Sequence, residues 1–478
     1  MFDYSNTENK EATNFWNQET TTTANGMPAF KSTRNALLDL FFKIGNSTNV
    51  TDEMVDLVRD AYVENRNGLM SVLLWARDCR EGAGRRNVPR ILLNKWFKRG
   101  NITEATASVV LYRLVELGRW DDVWAVALDT RYERGMALLI KTALAKNDRL
   151  CAKWLPRKGV VAAKLRKLLE MSPKQYRKTI VGITNVVETL ICNEEFSKIN
   201  YNHVPSQAMF KYTDLFNKKD FDHFMNYKDS LTKGTAKVNV KTAYPHQIVK
   251  NLWNDGALAE EQWKAKRREL TQLNTSFLPV IDVSGSMMCP SGANGVSCMD
   301  VAVSLGLMLA EVGNNAFNGR FITFSERPQL QDFRGFRTLQ ERVNFVKNSH
   351  WGFNTDIEAV FNLVLEAAIS ERMEYVDLPQ YIFVISDMQF DQACSNYSAM
   401  KMIDKKFRAY GYKTPTIVFW NVSDNYENYP TVENRPGAIL VSGFNTNLLE
   451  AIIKSPENIT PQMFLDVVLE NPRYKVIV

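Results

Sequence analysis

Apolar positions along this chain change their spacing once, near residue 275. From about residue 31 to 270 they recur three and four apart. After Thr51-Asp52-Glu53, which places acids in a first helical turn, Met54, Val55, Val58, Ala61 and Tyr62 fall on one helical face. The same spacing predicts helices over Leu69–Cys79, Pro89–Lys98, Thr103–Leu117, Asp121–Leu128, Met136–Ala145, Val160–Leu169 and Pro173–Cys192, each bounded by Gly, Asn, Asp or Pro. Short helices with brief connections predict antiparallel pairs stacked as a HEAT-like module, although no sequence period marks a repeat and ring closure stays open.

From Phe277 onward, strands and helices alternate. Strands are predicted at Phe277–Asp282, Arg320–Phe324, Tyr381–Ser386, Thr416–Trp420 and Ala438–Val441, with helices at Asp300–Val312, Leu339–Lys347, Asp356–Ser370 and Ala399–Tyr410. That alternation is the pattern of a doubly wound, Rossmann-like α/β domain. The expected fold is therefore α + α/β in four segments: a loose arm over 1–30 that docks at most locally through Phe15-Trp16, a helical module over 31–270, an α/β domain over 275–445 and a helical segment over 446–478.

Charge divides at the same place. The chain has 478 residues and a net charge of +6; residues 1–276 carry 43 basic and 31 acidic side chains, a net of +12, while 277–478 carry 16 and 22, a net of −6. A basic helical module suits an anionic partner. The six cysteines form no C-x-x-C pair, which points away from a disulfide framework or zinc cage. With neither a signal-peptide start nor an apolar run long enough for a bilayer, a cytoplasmic monomer without membrane partners is expected.

Chemistry concentrates where the first α/β strand ends. The apolar run Phe277-Leu278-Pro279-Val280-Ile281 gives way to Asp282-Val283-Ser284-Gly285-Ser286, so that Asp282, Ser284 and Ser286 alternate through a turn at Gly285. Oxygen donors of this kind suit a hard divalent cation. Thr355 precedes an amphipathic helix, and Asp387 ends another apolar strand; parallel sheets place such ends on one edge. The five groups predict a site for Mg2+, or Mn2+ or Ca2+. The plainer alternative is that each caps a helix or closes a turn.

The basic residues gather in two clusters. Arg77, Arg80, Arg85, Arg86 and Arg90 surround the turn Glu81-Gly82-Ala83-Gly84. Between Lys153 and Lys178 nine cations meet one acid, Glu170; this stretch includes Arg157, Lys158, Lys164, Lys167, Lys174, Arg177 and Lys178. Such groups could contact RNA phosphates or simply solvate helix faces, and Trp154 reads as a core anchor. The four histidines have no zinc or hydrolase spacing, and there is no phosphate-loop motif, so a binding protein is expected rather than an enzyme.

Asp282-x-Ser284-x-Ser286, Thr355 and Asp387 together resemble the complete metal-ion-dependent adhesion site of von Willebrand factor A domains. The resemblance implies hydroxyls and carboxylates around the ion and a partner's Asp or Glu completing its shell. Helices followed by this domain resemble the Ro RNA-binding proteins with their TROVE module. Gly118-Arg119-Trp120-Asp121-Asp122, Lys153-Trp154-Leu155-Pro156-Arg157 and Ile199-Asn200-Tyr201-Asn202-His203-Val204-Pro205-Ser206 look like signatures of an uncharacterised TROVE-like branch. That resemblance implies a scaffold for structured or misfolded RNA with an acidic protein partner. Two other functions stay open: an adaptor for an ATP-driven remodelling machine, and a metal-dependent phosphodiesterase or phosphatase using Asp282 and Asp387.

Overall fold

A computed structural model describes residues 20–22, 28–270, 275–291, 295–313, 316–324, 328–349, 357–389, 397–424, 428–446, 448–453 and 459–477. The chain forms two compact units, one of Met1–Ser47 with Arg267–Val468, the other of Thr48–Lys266 with Leu469–Val478.

The first unit is built on a parallel sheet. Strands β1 (Thr20–Thr22) and β2 (Pro28–Phe30) form a small antiparallel ribbon, and helix α1 spans Ala36–Ile44. The main strands are β3 (Phe277–Asp282), β4 (Arg320–Phe324), β5 (Gln329–Asp332), β6 (Tyr381–Ser386), β7 (Thr416–Asn421) and β8 (Ala438–Ser442). Their order is β5-β4-β3-β6-β7-β8, parallel throughout except for the edge strand β5. Every residue of β3 and β6 is buried, so both read as continuous apolar runs, as strands covered on two faces must. One face carries Leu278, Val280, Ile382, Val384 and Phe419 into a core with Val360, Phe361 and Phe407. On the other, a Cβ at Gly306 would stand 2.4 Å from Ile281, so glycine lets its helix lie close on the sheet.

Three features depart from the sequence reading. The arm is not wholly loose: Phe30 and Tyr429 exchange backbone hydrogen bonds of 3.0 and 2.9 Å. Helix α1, expected in the helical module, belongs to the α/β unit, because Leu38, Leu40, Phe41 and Phe42 are fully buried there and Phe41 packs edge-on against Phe464. The third is β5, which no apolar run announced; two of its residues are exposed, and it is held by pairing with β4. The expected docking pair Phe15-Trp16 lies outside the described residues.

The second unit is helical. Its helices are α2 (Asp52–Glu64), α3 (Arg66–Arg77), α4 (Asn87–Arg99), α5 (Glu104–Leu117), α6 (Trp120–Ala127), α7 (Glu133–Ala145), α8 (Arg149–Trp154), α9 (Gly159–Leu168), α10 (Pro173–Ile183) and α11 (Val187–Cys192). Beyond two short 3-10 turns follow α12 (Ser206–Lys219), α13 (Phe221–Thr232), α14 (Pro245–Asn251) and α15 (Gly256–Leu270). From α2 to α10 each helix packs on those one or two places along the chain, a sequentially stacked array. Local signals set the ends: Thr51 and Asn65 accept from the Met54 and Gly68 amides, and Ser172 with Gln175 forms a capping box ahead of Pro173. The predicted helix Pro173–Cys192 breaks after Ile183, where the Thr184 hydroxyl bonds the Ile180 carbonyl at 2.7 Å. The last residues also join this unit: Ser71 donates to the Tyr474 carbonyl at 3.0 Å, and the Tyr474 hydroxyl reaches Asp78 at 3.1 Å. The expected 446–478 segment is thus divided at Leu469.

Three further helices matter for the α/β unit: α16 (Cys298–Val312), α17 (Leu339–Lys347) and α18 (Ile357–Ser370).

Candidate metal centre and nucleic-acid interface

The sheet order places β3 between β4 and β6, so the connections leave its carboxyl end in opposite directions. Ligands of open α/β sheets collect at such a switch point. Asp282 ends β3, Asp387 follows β6, and both are only 2% exposed. Beyond Asp282 the chain turns through Gly285–Met288, which leaves Ser286 exposed and Ser284 half-buried, their hydroxyls 3.0 Å apart. Asp282 Oδ1 accepts the Ser284 amide at 2.9 Å; Asp387 Oδ1 accepts the Gln389 amide at 3.1 Å.

Four of the five expected ligands therefore gather at one sheet edge, while Thr355 lies outside the described residues. Sequence reasoning missed Ser386. It is fully buried, donates to Asp282 Oδ2 at 2.6 Å and accepts the Met388 amide at 3.0 Å. Its signal was its place as the last residue of β6, directly before a carboxylate.

Burial, and then the charge of Asp387, push Asp282 up to about 6. Burial likewise raises Asp387, against the Gln389 amide and the Ser286 hydroxyl. Among the described residues no lysine, arginine or histidine is ion-paired with either carboxylate, and no group of three or more His, Cys, Asp or Glu is gathered where it could hold a metal ion. Two buried carboxylates with neighbouring hydroxyls and no counter-charge among the described residues fit a hard divalent cation, since such charges are costly to bury unless neutralised. The donor set lacks the thiolate and imidazole that softer metals favour.

The basic residues of the helical unit fall into two groups. Arg77, expected to contact RNA, is 3% exposed and bound to the fully buried Asp122 at 2.7 Å, so it is not available to a phosphate. Arg90 joins both Asp121, at 2.7 Å, and Asp122. Arg86 and Arg119 reach Asp121 at 2.8 and 2.9 Å. A Cβ at Gly118 would fall 2.3 Å from Asp122 and 2.7 Å from Arg77, so the motif Gly118-Arg119-Trp120-Asp121-Asp122 encodes this network. Burial works to raise the Asp121 carboxyl, but Arg90, Arg119 and Arg86 outweigh it and hold it below the usual range. Arg80 caps the Glu116 carbonyl, Arg85 is half-buried, and the first cluster is mainly structural.

The second cluster is more open. Lys153 is half-buried and paired with Glu188 at 2.6 Å, and Lys164 with Asp129 at 2.7 Å. The acid Glu170 is taken by Lys141, also at 2.7 Å. That leaves Arg157, Lys158, Lys167, Lys174, Arg177 and Lys178 exposed along α9, α10 and the turn before them, with no ion pair among the described residues. Trp154, read as a core anchor, is instead half-buried beneath the Arg119 guanidinium, 3.8 Å from its ring centre.

Comparison with known proteins follows the same division. Residues 276–468 match a family model described as a domain of unknown function, DUF7788, and residues 124–278 match another, DUF2828. The chain is 29% identical to the uncharacterized protein L728 of Acanthamoeba polyphaga mimivirus, over 94% of this chain and 87% of that one. The crystal structure of the Ro (RSR) protein of Deinococcus radiodurans is a loose likeness, with 15% identity and a TM-score of 0.45 over 92% of this chain and 99% of that one. No helix among the described residues is long and apolar enough to cross a membrane.

Proposed function

We propose that the chain is a non-catalytic RNA-binding scaffold whose helical unit holds RNA phosphates and whose α/β unit binds a divalent cation. The observation that carries the RNA reading is the set of six exposed cations, Arg157, Lys158, Lys167, Lys174, Arg177 and Lys178, left over after the neighbouring acids are paired. A surface that only needed solvation would mix the signs; this one suits a polyanion. The Ro-like architecture noted from the sequence agrees with a scaffold for structured or misfolded RNA.

Asp282, Ser284, Ser286 and Asp387 would hold Mg2+, Mn2+ or Ca2+ as in von Willebrand factor A domains, with Thr355 as a fifth ligand. When bound, the cation supplies an electrophilic centre for a carboxylate of an acidic protein partner. Ser386 keeps Asp282 oriented. Gly285 and Ser286 are exposed, so among the described residues this side of the site is open to such a partner.

Fluorescence anisotropy with a structured RNA bearing a single-stranded 3′ end, titrated over several salt concentrations with and without Mg2+, tests the reading. The expected result is binding with a log–log salt slope of several units, at about 0.7–0.9 per phosphate neutralised, and unchanged by chelation. Failure to bind at low salt overturns the RNA assignment. Calorimetric titration with Mg2+ tests the cation separately, and absence of binding removes that half.

A further inference from the structure

The turn that carries Ser284 and Ser286 runs directly into a hairpin bounded by two cysteines. Pro290 and Ser297 form an antiparallel bridge. The Cys298 amide donates to the Cys289 carbonyl at 2.9 Å, and the Ser291 amide to the Val296 carbonyl at 3.1 Å. Cys289 and Cys298 are thus directly opposed, and their sulfurs lie 3.2 Å apart. Opposed residues of an antiparallel pair stand about 4.5–5.5 Å apart at Cα, inside the range of about 4.4–6.8 Å that a disulfide spans. Bond formation therefore needs little more than side-chain rotation. Cys289 is partly exposed, whereas Cys298 is fully buried against the Val422 carbonyl at 3.5 Å.

We propose that Cys289 and Cys298 form a reversible thiol–disulfide site, closed by a low-molecular-weight disulfide and reopened by a thiol reductant. The two cysteines have unequal roles. Cys289 lies partly open to solvent, whereas Cys298 is fully buried behind it. Cys289 is therefore the attacking thiol, being the one of the two that a small disulfide can reach. Its thiolate displaces one glutathione thiolate from oxidised glutathione and forms a mixed disulfide. Cys298 then loses its proton, attacks the Cys289 sulfur and expels the second glutathione. Two protein thiols are oxidised and one glutathione disulfide is reduced to two thiols.

Closure would pin the hairpin to the start of α16. It would also fix the end of the serine turn, because the Cys289 amide donates to the Ser286 carbonyl at 2.9 Å. The disulfide forms with or without a cation at that turn.

The test uses the full chain, incubated with oxidised glutathione, quenched in acid, alkylated and digested with trypsin without reduction. Residues 269–320 form one tryptic peptide containing only these two cysteines. The expected product is that peptide two hydrogens lighter than the dithiol, without alkyl groups, and restored by dithiothreitol. The Cys298→Ser variant should stop at one glutathione on Cys289. Recovery of the peptide with both thiols alkylated, or with glutathione on each and no ring, overturns the proposal.

Discussion

The Ser386 hydroxyl donates a 2.6 Å hydrogen bond to Asp282 Oδ2, joining the ends of two neighbouring strands beneath the candidate cation site. Both groups are buried, so the bond is not replaced by water when it is lost. Ser386→Ala should weaken Mg2+ binding by about 10- to 100-fold, the usual effect of removing a partner that orients a metal ligand. Calorimetric titration reads the loss directly. A native affinity in this variant would show that Asp282 is oriented without Ser386.

Asp282→Asn should act in opposite directions on stability and on cation binding. With the metal chelated, the wild-type carboxylate is held above its ordinary range by burial and by Asp387, so ionising it opposes folding. The folded state keeps the proton longer than the unfolded state as pH rises through about 4 to 6. Metal-free stability is therefore lost over that interval. The neutral amide escapes this cost. The variant should melt higher than wild type at pH 7.5 in chelator, the gap should close toward pH 4, and Mg2+ should no longer raise its melting temperature. Thermal unfolding at the two pH values, with and without Mg2+, checks all three outcomes. A variant that still gains stability from Mg2+ would remove Asp282 from the ligand set.

The α/β order and the meeting of Asp282, Ser284, Ser286 and Asp387 could be read in the sequence because buried parallel strands are continuous apolar runs and their ends share an edge. Ser386 escaped because its place at the end of β6, before Asp387, marks the strand end but not the partner across to β3 that its hydroxyl bonds. Helix α1 shows another limit: its apolar face announces burial but not which unit buries it. The arginines show a third. Arg77 and Lys178 look alike as charges in a run, yet one faces Asp122 across a helix pair and the other faces solvent, a difference set by tertiary pairing.

That difference separates two kinds of variant. Replacing Lys174, Arg177 and Lys178 together by alanine removes exposed cations of α10 with no ion pair among the described residues. RNA affinity should fall roughly tenfold or more at low salt, the log–log salt slope should shrink by about 2 to 3, and the melting temperature should barely move. Anisotropy and thermal unfolding on the same preparation decide. An unchanged salt slope would move the RNA site elsewhere.

Arg77→Ala should do the reverse. It strands the fully buried Asp122, for which removal of a buried partner costs about 3–5 kcal/mol; because Arg90 also holds Asp122, the low end of that range is expected. Urea unfolding should show the loss, while the folded fraction keeps its RNA affinity and salt slope. A large affinity loss at native stability would return Arg77 to the binding surface.

The same network fixes how the helical unit responds to acid. The surrounding arginines hold the Asp121 carboxyl below its unfolded value, outweighing burial. Its contribution to stability is therefore complete above the ordinary carboxylate range near pH 4 and is lost as pH falls through the lower folded value. Asp121→Asn removes the charge at every pH. The variant should be destabilised relative to wild type at pH 7, and the difference should shrink steadily below pH 4. Urea midpoints across that range, compared between the two proteins so that other carboxylates largely cancel, measure this. A gap independent of pH would mean that Asp121 acts through its shape and hydrogen bonds, with the charge of its three arginine partners contributing little.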